Sequence, residues 1–116
     1  MRYAAPTTTK EAANLLANAK GQAFVLAGGT DLLVSMKSGL SEPDLIVDIK
    51  RIPATQSITK SATGFRIGAS VPAADLGSNA ALAKAWPGVV ESANLIGSDQ
   101  IQSRCTMAGN LCNASP

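Results

Sequence analysis

The sequence predicts an α+β protein, and three observations carry that expectation. Helix-spaced apolar residues alternate with two unbroken apolar runs between residues 9 and 49. Two short alternating segments, Ser57–Lys60 and Phe65–Ala69, follow with a Ser-Ala-Thr-Gly turn between them. The chain then passes into short helical patterns up to Ile96, and into small and polar residues beyond.

Pro6 opens a turn, and Thr8 stands three residues before Glu11 at capping-box spacing. Ala12, Ala13, Leu15, Leu16 and Ala19 recur at helical intervals, and Gly21 marks the stop, so a helix is expected over 9–19. Residues 23–27, Ala-Phe-Val-Leu-Ala, do not alternate, and such a run reads as a parallel strand covered on both faces. Gly28-Gly29 makes the turn that follows. A short helix is expected from Asp31 to Lys37, with Leu32, Leu33 and Met36 on one side and Gly39 past its end. After the Glu42-Pro43 turn, Leu45–Ile49 reads as a second apolar strand. The roughly 17 residues between the strands suffice for a helical crossover, so the two should be parallel neighbours.

Ile52-Pro53 closes this unit, and the alternating segments after it read as an antiparallel hairpin. We therefore expect a first subdomain over 1–55 and a second beginning at 56 and continuing to 116. Within the second, Val71-Pro72 starts a helix through Leu76, Asn79 caps a helix over 80–85, and Trp86-Pro87 breaks it. Gly88–Leu95 is helical again, with Val89, Val90, Ala93 and Ile96 facing inward. Trp86 reads as a core plug without a functional role. Periodicity fades from Gly97, and 106–110 reads as a second glycine-containing loop. No cap or closing element precedes Pro116, so the chain is expected to be cut in mid-structure.

The totals exclude several classes. A net charge of +2, from 10 basic and 8 acidic residues, gives no basic run for nucleic acid, and aromatic residues at 3% give few stacking platforms. No apolar run approaches the roughly 20 residues of a membrane span, and no signal peptide is read at the start. Cys105 and Cys112 are expected to be free thiols. The chain has no histidine, which removes histidine bases and most zinc sites. Asp31, Asp44, Asp48, Asp75 and Glu91 read as caps or solvated groups, and no serine or threonine has a base beside it. No catalytic residue and no metal ligand is assigned. Any chemistry must come from a bound cofactor.

The 28–31 turn is where such a cofactor would sit. Glycines permit close backbone approach, and the following helix start offers free N–H groups and a positive dipole end to a phosphate. The spacing is neither the dinucleotide fingerprint nor a P-loop. On pattern alone a plain turn capped by Asp31 is an equal reading. Asp48, about 20 residues on, stands where a ribose-binding acid would sit in a nicotinamide site. The second segment, Thr106–Asn110, offers a close approach at Ala108-Gly109, flanked by hydrogen-bonding groups. Two such loops could clasp one extended ligand.

Ala27-Gly28-Gly29-Thr30-Asp31-Leu32, Asp48-Ile49, Ile67-Gly68-Ala69 and Arg104-Cys105-Thr106-Met107-Ala108-Gly109-Asn110-Leu111 together resemble, in order, the flavin subunit of the molybdenum hydroxylases. This is the xanthine dehydrogenase and carbon monoxide dehydrogenase medium-subunit family, and the resemblance spans essentially the whole chain. It implies a two-subdomain FAD-binding fold of the vanillyl-alcohol oxidase and p-cresol methylhydroxylase type, with the second subdomain incomplete. It implies that Gly28 and Gly29 hold the FAD pyrophosphate through backbone amides. Thr30 and Asp31 would contribute, and Leu26, Ala27 and Leu32 would flank the site. Ala69 and Ser70 would line the flavin cleft, and Thr106, Ala108, Gly109 and Asn110 would form the second FAD segment. The flavin would pass electrons to NAD or another acceptor. It would take them from 2Fe–2S clusters in a small iron–sulfur subunit, fed by the molybdenum cofactor of a large molybdopterin subunit. A cytoplasmic complex is implied.

Two departures stand out. Ala108 replaces a family glycine; an alanine held at positive φ would cost about 1–2 kcal/mol, so φ there is negative or the segment is shifted. Family members also run to more than twice this length, with a further FAD-contacting Asp expected just after Pro116. The chain is therefore expected to be a fragment, or a split or nicked subunit, completed by its own C-terminal part. It would bind FAD weakly or not at all alone. Two other readings remain beside it: a flavin-free module docking a partner through residues 50–96, and a nicotinamide-binding fragment.

Overall fold

A computed structural model describes residues 1–114. Its first sheet has three parallel strands in the order β1-β3-β2, with β1 at Arg2–Ala4, β2 at Ala23–Leu26 and β3 at Leu45–Asp48. Tyr3 and Phe24 both lie opposite Ile46, on either side of it. The parallel pairing of β2 with β3 is as the crossover length requires. Strand β1 escapes the sequence reading: three residues carry no periodicity, and their partner lies more than 40 positions away.

Helix α1, Thr9–Ala17, starts where the cap predicts. Glu11 N donates to Thr8 Oγ1 at 3.1 Å, while the Glu11 carboxylate reaches one residue further back, to Thr7 N at 3.2 Å. Ala12, Leu15, Leu16 and Ala19 pack with Leu45, Val47 and Ile52 in one apolar cluster. Only the central strand is covered throughout. All four residues of β3 are buried, whereas β2 lies at an edge and its Val25 is 48% exposed. The expectation of two-sided cover thus holds for β3 and is corrected for β2. Helix α2, Leu32–Lys37, spans six residues and leaves Leu33 and Val34 exposed.

Two short 3-10 turns, Ile49–Arg51 and Pro53–Thr55, lead into the antiparallel hairpin of β4, Ile58–Ser61, and β5, Gly64–Ile67. Helices α3 (Ala73–Ser78), α4 (Ala80–Ala85) and α5 (Pro87–Asn94) follow. Asn79 caps α4, accepting from Leu82 N at 2.9 Å. A second apolar cluster gathers Val71, Ala73, Leu76, Leu82, Val90, Ala93 and Cys105, with Phe65, Ile67 and Ile96 against it. Trp86 is not in it. It sits at the α4–α5 break, 54% exposed, and Leu82 one turn earlier fills the core instead. The expectation of a core plug is therefore corrected.

The polar stretch after Gly97 is also more ordered than its composition suggests. It forms helices α6, Asp99–Gln102, and α7, Met107–Asn113. Among the described residues no helix is long and apolar enough to cross a membrane.

Candidate functional site

The turn after β2 and the start of α7 meet. An atom added at the Cβ position of Gly28 would lie 2.1 Å from the Arg104 carbonyl oxygen, well inside contact distance. Gly28 therefore has no side chain because another stretch of backbone occupies that space. Gly29 answers a different demand: its φ is +82°, and Leu33 and Leu26 pack where its Cβ would go. The residue pair that reads as a ligand cradle is thus also a seam between two distant parts of the chain.

Along this seam runs a cleft of about 550 Å³, a size typical of small-molecule sites. Leu26, Ala27, Gly28, Gly29, Thr30, Asp31 and Leu32 line one side. Ala69, Thr106, Ala108, Gly109 and Asn110 line the other, with Cys105 and Cys112. Twelve of the thirteen residues predicted for cofactor binding thus share one cleft. The exception is Ser70. It is buried, and its hydroxyl donates to the Thr55 carbonyl at 2.8 Å, tying the stretch after β5 to the 3-10 turn Pro53–Thr55 rather than lining the cleft.

The two sides differ in their hydrogen bonding. Among the described residues, the amides of Gly28, Gly29, Thr30 and Asp31 donate to no protein group, while Gly29 O and Asp31 O accept the first bonds of α2 from Leu33 and Ser35. Four amides in a row are left for a ligand or water. Asp31 stands at the N-cap position, but its carboxylate makes no cap bond. Asp31 thus holds the N-cap place that the plain-turn reading gives it, without the side-chain bond that such a cap supplies. With only six residues, α2 contributes little dipole, and the donors that the turn leaves unclaimed are the loop amides themselves.

The second segment is not a loop. Thr106 is the N-cap of α7, and its Oγ1 accepts from Gly109 N at 2.9 Å. Asn110 N donates to Thr106 O at 3.0 Å. Ala108 lies inside the helix, so its φ is negative and the strain that positive φ would bring does not arise. Burial pushes the Cys105 thiol up from its ordinary value, so adjacency to Arg104 does not activate it. Cys105 and Cys112 are both free.

One network escapes the sequence reading. Asp48, at the end of β3, is buried, and Tyr3 Oη donates to its Oδ2 at 2.6 Å. Lys50 Nζ lies 2.9 Å from both Asp48 oxygens and donates to the Ala27 carbonyl at 3.0 Å. Burial pushes the Asp48 carboxyl up, but the bonds from Tyr3 and Lys50 and the Lys50 charge outweigh it and hold the group below its ordinary value. The bond to Asp48 in turn raises the Tyr3 phenol. Asp48 is therefore engaged inside the protein rather than presented to a ribose. The visible signal is an acid ending an otherwise apolar strand; nothing in the spacing points to Tyr3.

A cleft with neighbouring free amides on one wall and apolar side chains around them defines a binding domain for a phosphate-bearing cofactor. All 116 residues match the family described as FAD binding domain in molybdopterin dehydrogenase, and the chain belongs to that family. It is 34% identical over 114 residues to the carbon monoxide dehydrogenase medium chain of Hydrogenophaga pseudoflava, covering 98% of this chain and 40% of that one. To the xanthine dehydrogenase FAD-binding subunit of Escherichia coli O157:H7 it is 32% identical, covering 97% of this chain and 39% of that one. The structure of a Cu,Mo-CO dehydrogenase in its cyanide-inactivated form superposes with a TM-score of 0.94 at 32% identity, over 100% of this chain and 41% of that chain. The chain thus spans about 40% of the length of these relatives. FAD is the cofactor of the family, and the cleft fits it: four free amides suit a pyrophosphate, and apolar walls suit a ring system.

Proposed function

We propose that this chain supplies the FAD-binding part of a molybdenum-hydroxylase-type dehydrogenase and that the cleft between residues 26–32 and 106–110 holds the cofactor. The observation that carries the reading is the contact of Gly28 with the Arg104 carbonyl, which makes one cleft of two segments far apart in sequence. The amides of Gly28, Gly29, Thr30 and Asp31 hold the pyrophosphate; Leu26, Ala27, Leu32 and Ala69 exclude water; Thr106, Ala108, Gly109 and Asn110 close the far side. Ser70 keeps Ala69 in place through Thr55. When bound, FAD relays electrons. In the complete enzyme they arrive from an iron–sulfur subunit served by a molybdopterin subunit and leave to NAD or another acceptor. The complex is cytoplasmic in this reading. The chain divides into subdomains at 1–55 and 56–116, a division supported by the two separate apolar clusters.

The test is a titration of the chain with FAD and, separately, with NAD, followed by flavin fluorescence and thermal unfolding. A Kd between about 1 μM and 1 mM is expected for FAD. At about a hundred times Kd the stability gain is about 2.7 kcal/mol. No shift with FAD at millimolar concentration when the chain replaces the matching segment of a related medium subunit, or an equal shift with NAD, refutes the reading.

A further inference from the structure

We propose that Lys50 is a positioning residue for the cofactor loop, aiming the Gly28 amide from behind. The inference rests on the FAD reading above. Lys50 does not line the cleft. Its ammonium donates to the Ala27 carbonyl at 3.0 Å and is held by Asp48, which Tyr3 grips in turn. The Ala27 carbonyl and the Gly28 amide belong to one peptide unit. That unit is planar and trans, so its C=O and N–H point in opposite directions. A cation fixing the carbonyl on one side therefore fixes the amide on the other. Gly28 is where such a constraint is needed, because a glycine between soft dihedrals lets its peptide plane rotate freely. The same bond draws electron density toward the carbonyl oxygen and makes the amide a stronger donor.

The cleft makes this matter. Among the described residues its lining holds no lysine or arginine, so the pyrophosphate is met by backbone dipoles rather than by side-chain charge. Dipoles bind an anion well only when they already point at it. Lys50 thus contributes to anion binding without touching the anion.

The experiment compares the full chain with Lys50→Met, which keeps the apolar stem and removes the donor, and with Lys50→Arg, which keeps a donor. FAD affinity is read by fluorescence titration, and the stability of the cofactor-free chain by thermal unfolding. The expected result is a somewhat lowered cofactor-free Tm in Lys50→Met, because Asp48 loses its partner, together with about a tenfold weaker Kd that exceeds what the unfolded fraction accounts for, and affinity largely restored in Lys50→Arg. An affinity within twofold of the parent overturns the proposal. So does a loss that is fully accounted for by the unfolded fraction. Should Lys50→Met fail to fold, the amide resonance of ¹⁵N-labelled Gly28 is followed in the parent during FAD addition; a resonance that does not move overturns the proposal. If FAD is bound neither by the parent nor by a related medium subunit carrying this chain in place of its matching segment, the functional reading itself falls. If it binds and Lys50→Met binds equally, only the role of Lys50 falls.

Discussion

The two glycine-bearing segments of the cleft look alike in sequence and are built differently. Residues 28–31 form an irregular turn whose amides are unclaimed by protein among the described residues, held from behind by Lys50. Residues 106–110 form a helix start that satisfies itself: Thr106 accepts from Gly109 through its side chain and from Asn110 through its carbonyl. The first segment is organised for a partner outside the chain, the second for its own stability. Glycine content alone does not separate the two; the destination of each backbone donor does.

The sharpest break in this comparison is Gly28→Val. The side chain would collide with the Arg104 backbone, which has no flexible end to yield, so the seam must open. A stability loss of about 3 kcal/mol, as for overpacking, is expected in denaturant unfolding of the cofactor-free chain, with FAD binding lost as well. If stability is unchanged and only FAD binding falls, the glycine serves the ligand alone.

Thr106→Ala tests the other side. It removes the cap of α7 and should cost about 1 kcal/mol in the same measurement. FAD affinity should fall far less than for Gly28→Val; a comparable fall would mean that the second segment binds as directly as the first.

Acid and alkali act on the first segment more weakly, because Lys50 and Tyr3 are open to solvent, which screens them. The Asp48 value is depressed on folding, so its stabilisation is complete above the ordinary carboxylate value and fades as pH falls through the lower folded value. The Tyr3 value is raised, so its stabilisation is complete below the ordinary phenol value and fades as pH rises through the higher folded one. Between those limits the Gly28 amide resonance should hold steady as this network stays charged and bonded. A titration of that resonance near neutrality would show the loop to be governed by something else.

The smallest effect is expected for Gly109→Ala. The new methyl gains helix propensity of about 1 kcal/mol but sits 2.8 Å from Thr106 Oγ1 and disturbs a cap of similar worth. Unfolding should shift by less than about 0.5 kcal/mol. A large loss would show that the cap is tighter than its twin in α1.

These differences mark what a sequence can reveal. The parallel pairing of β2 and β3, the hairpin and the Thr8 and Asn79 caps were legible, because apolar runs, alternation and turn residues are local patterns; the twelve cleft residues were reached as a set only through the family resemblance. Strand β1 was not, since Arg2-Tyr3-Ala4 owes its extension to a distant strand. The exposure of Trp86 was not legible either, because a break between helices does not announce which way it turns its side chain. Thr106 with Gly109 three residues on is a cap without the acidic partner that betrays one at Thr8. The Lys50 tether is invisible for a further reason: its acceptor is a carbonyl, which every residue has.

The contact of Gly28 with Arg104 also bears on the order of folding. It closes a span of 76 residues, from 28 to 104, so its entropy cost falls on a chain whose local helices and hairpin can already be in place. The cleft should be among the last features to form, and a ligand seated in it should report on completion of the whole chain. Hydrogen exchange at 104–106 should slow together with exchange in the first sheet when FAD is added, as one cooperative unit rather than two.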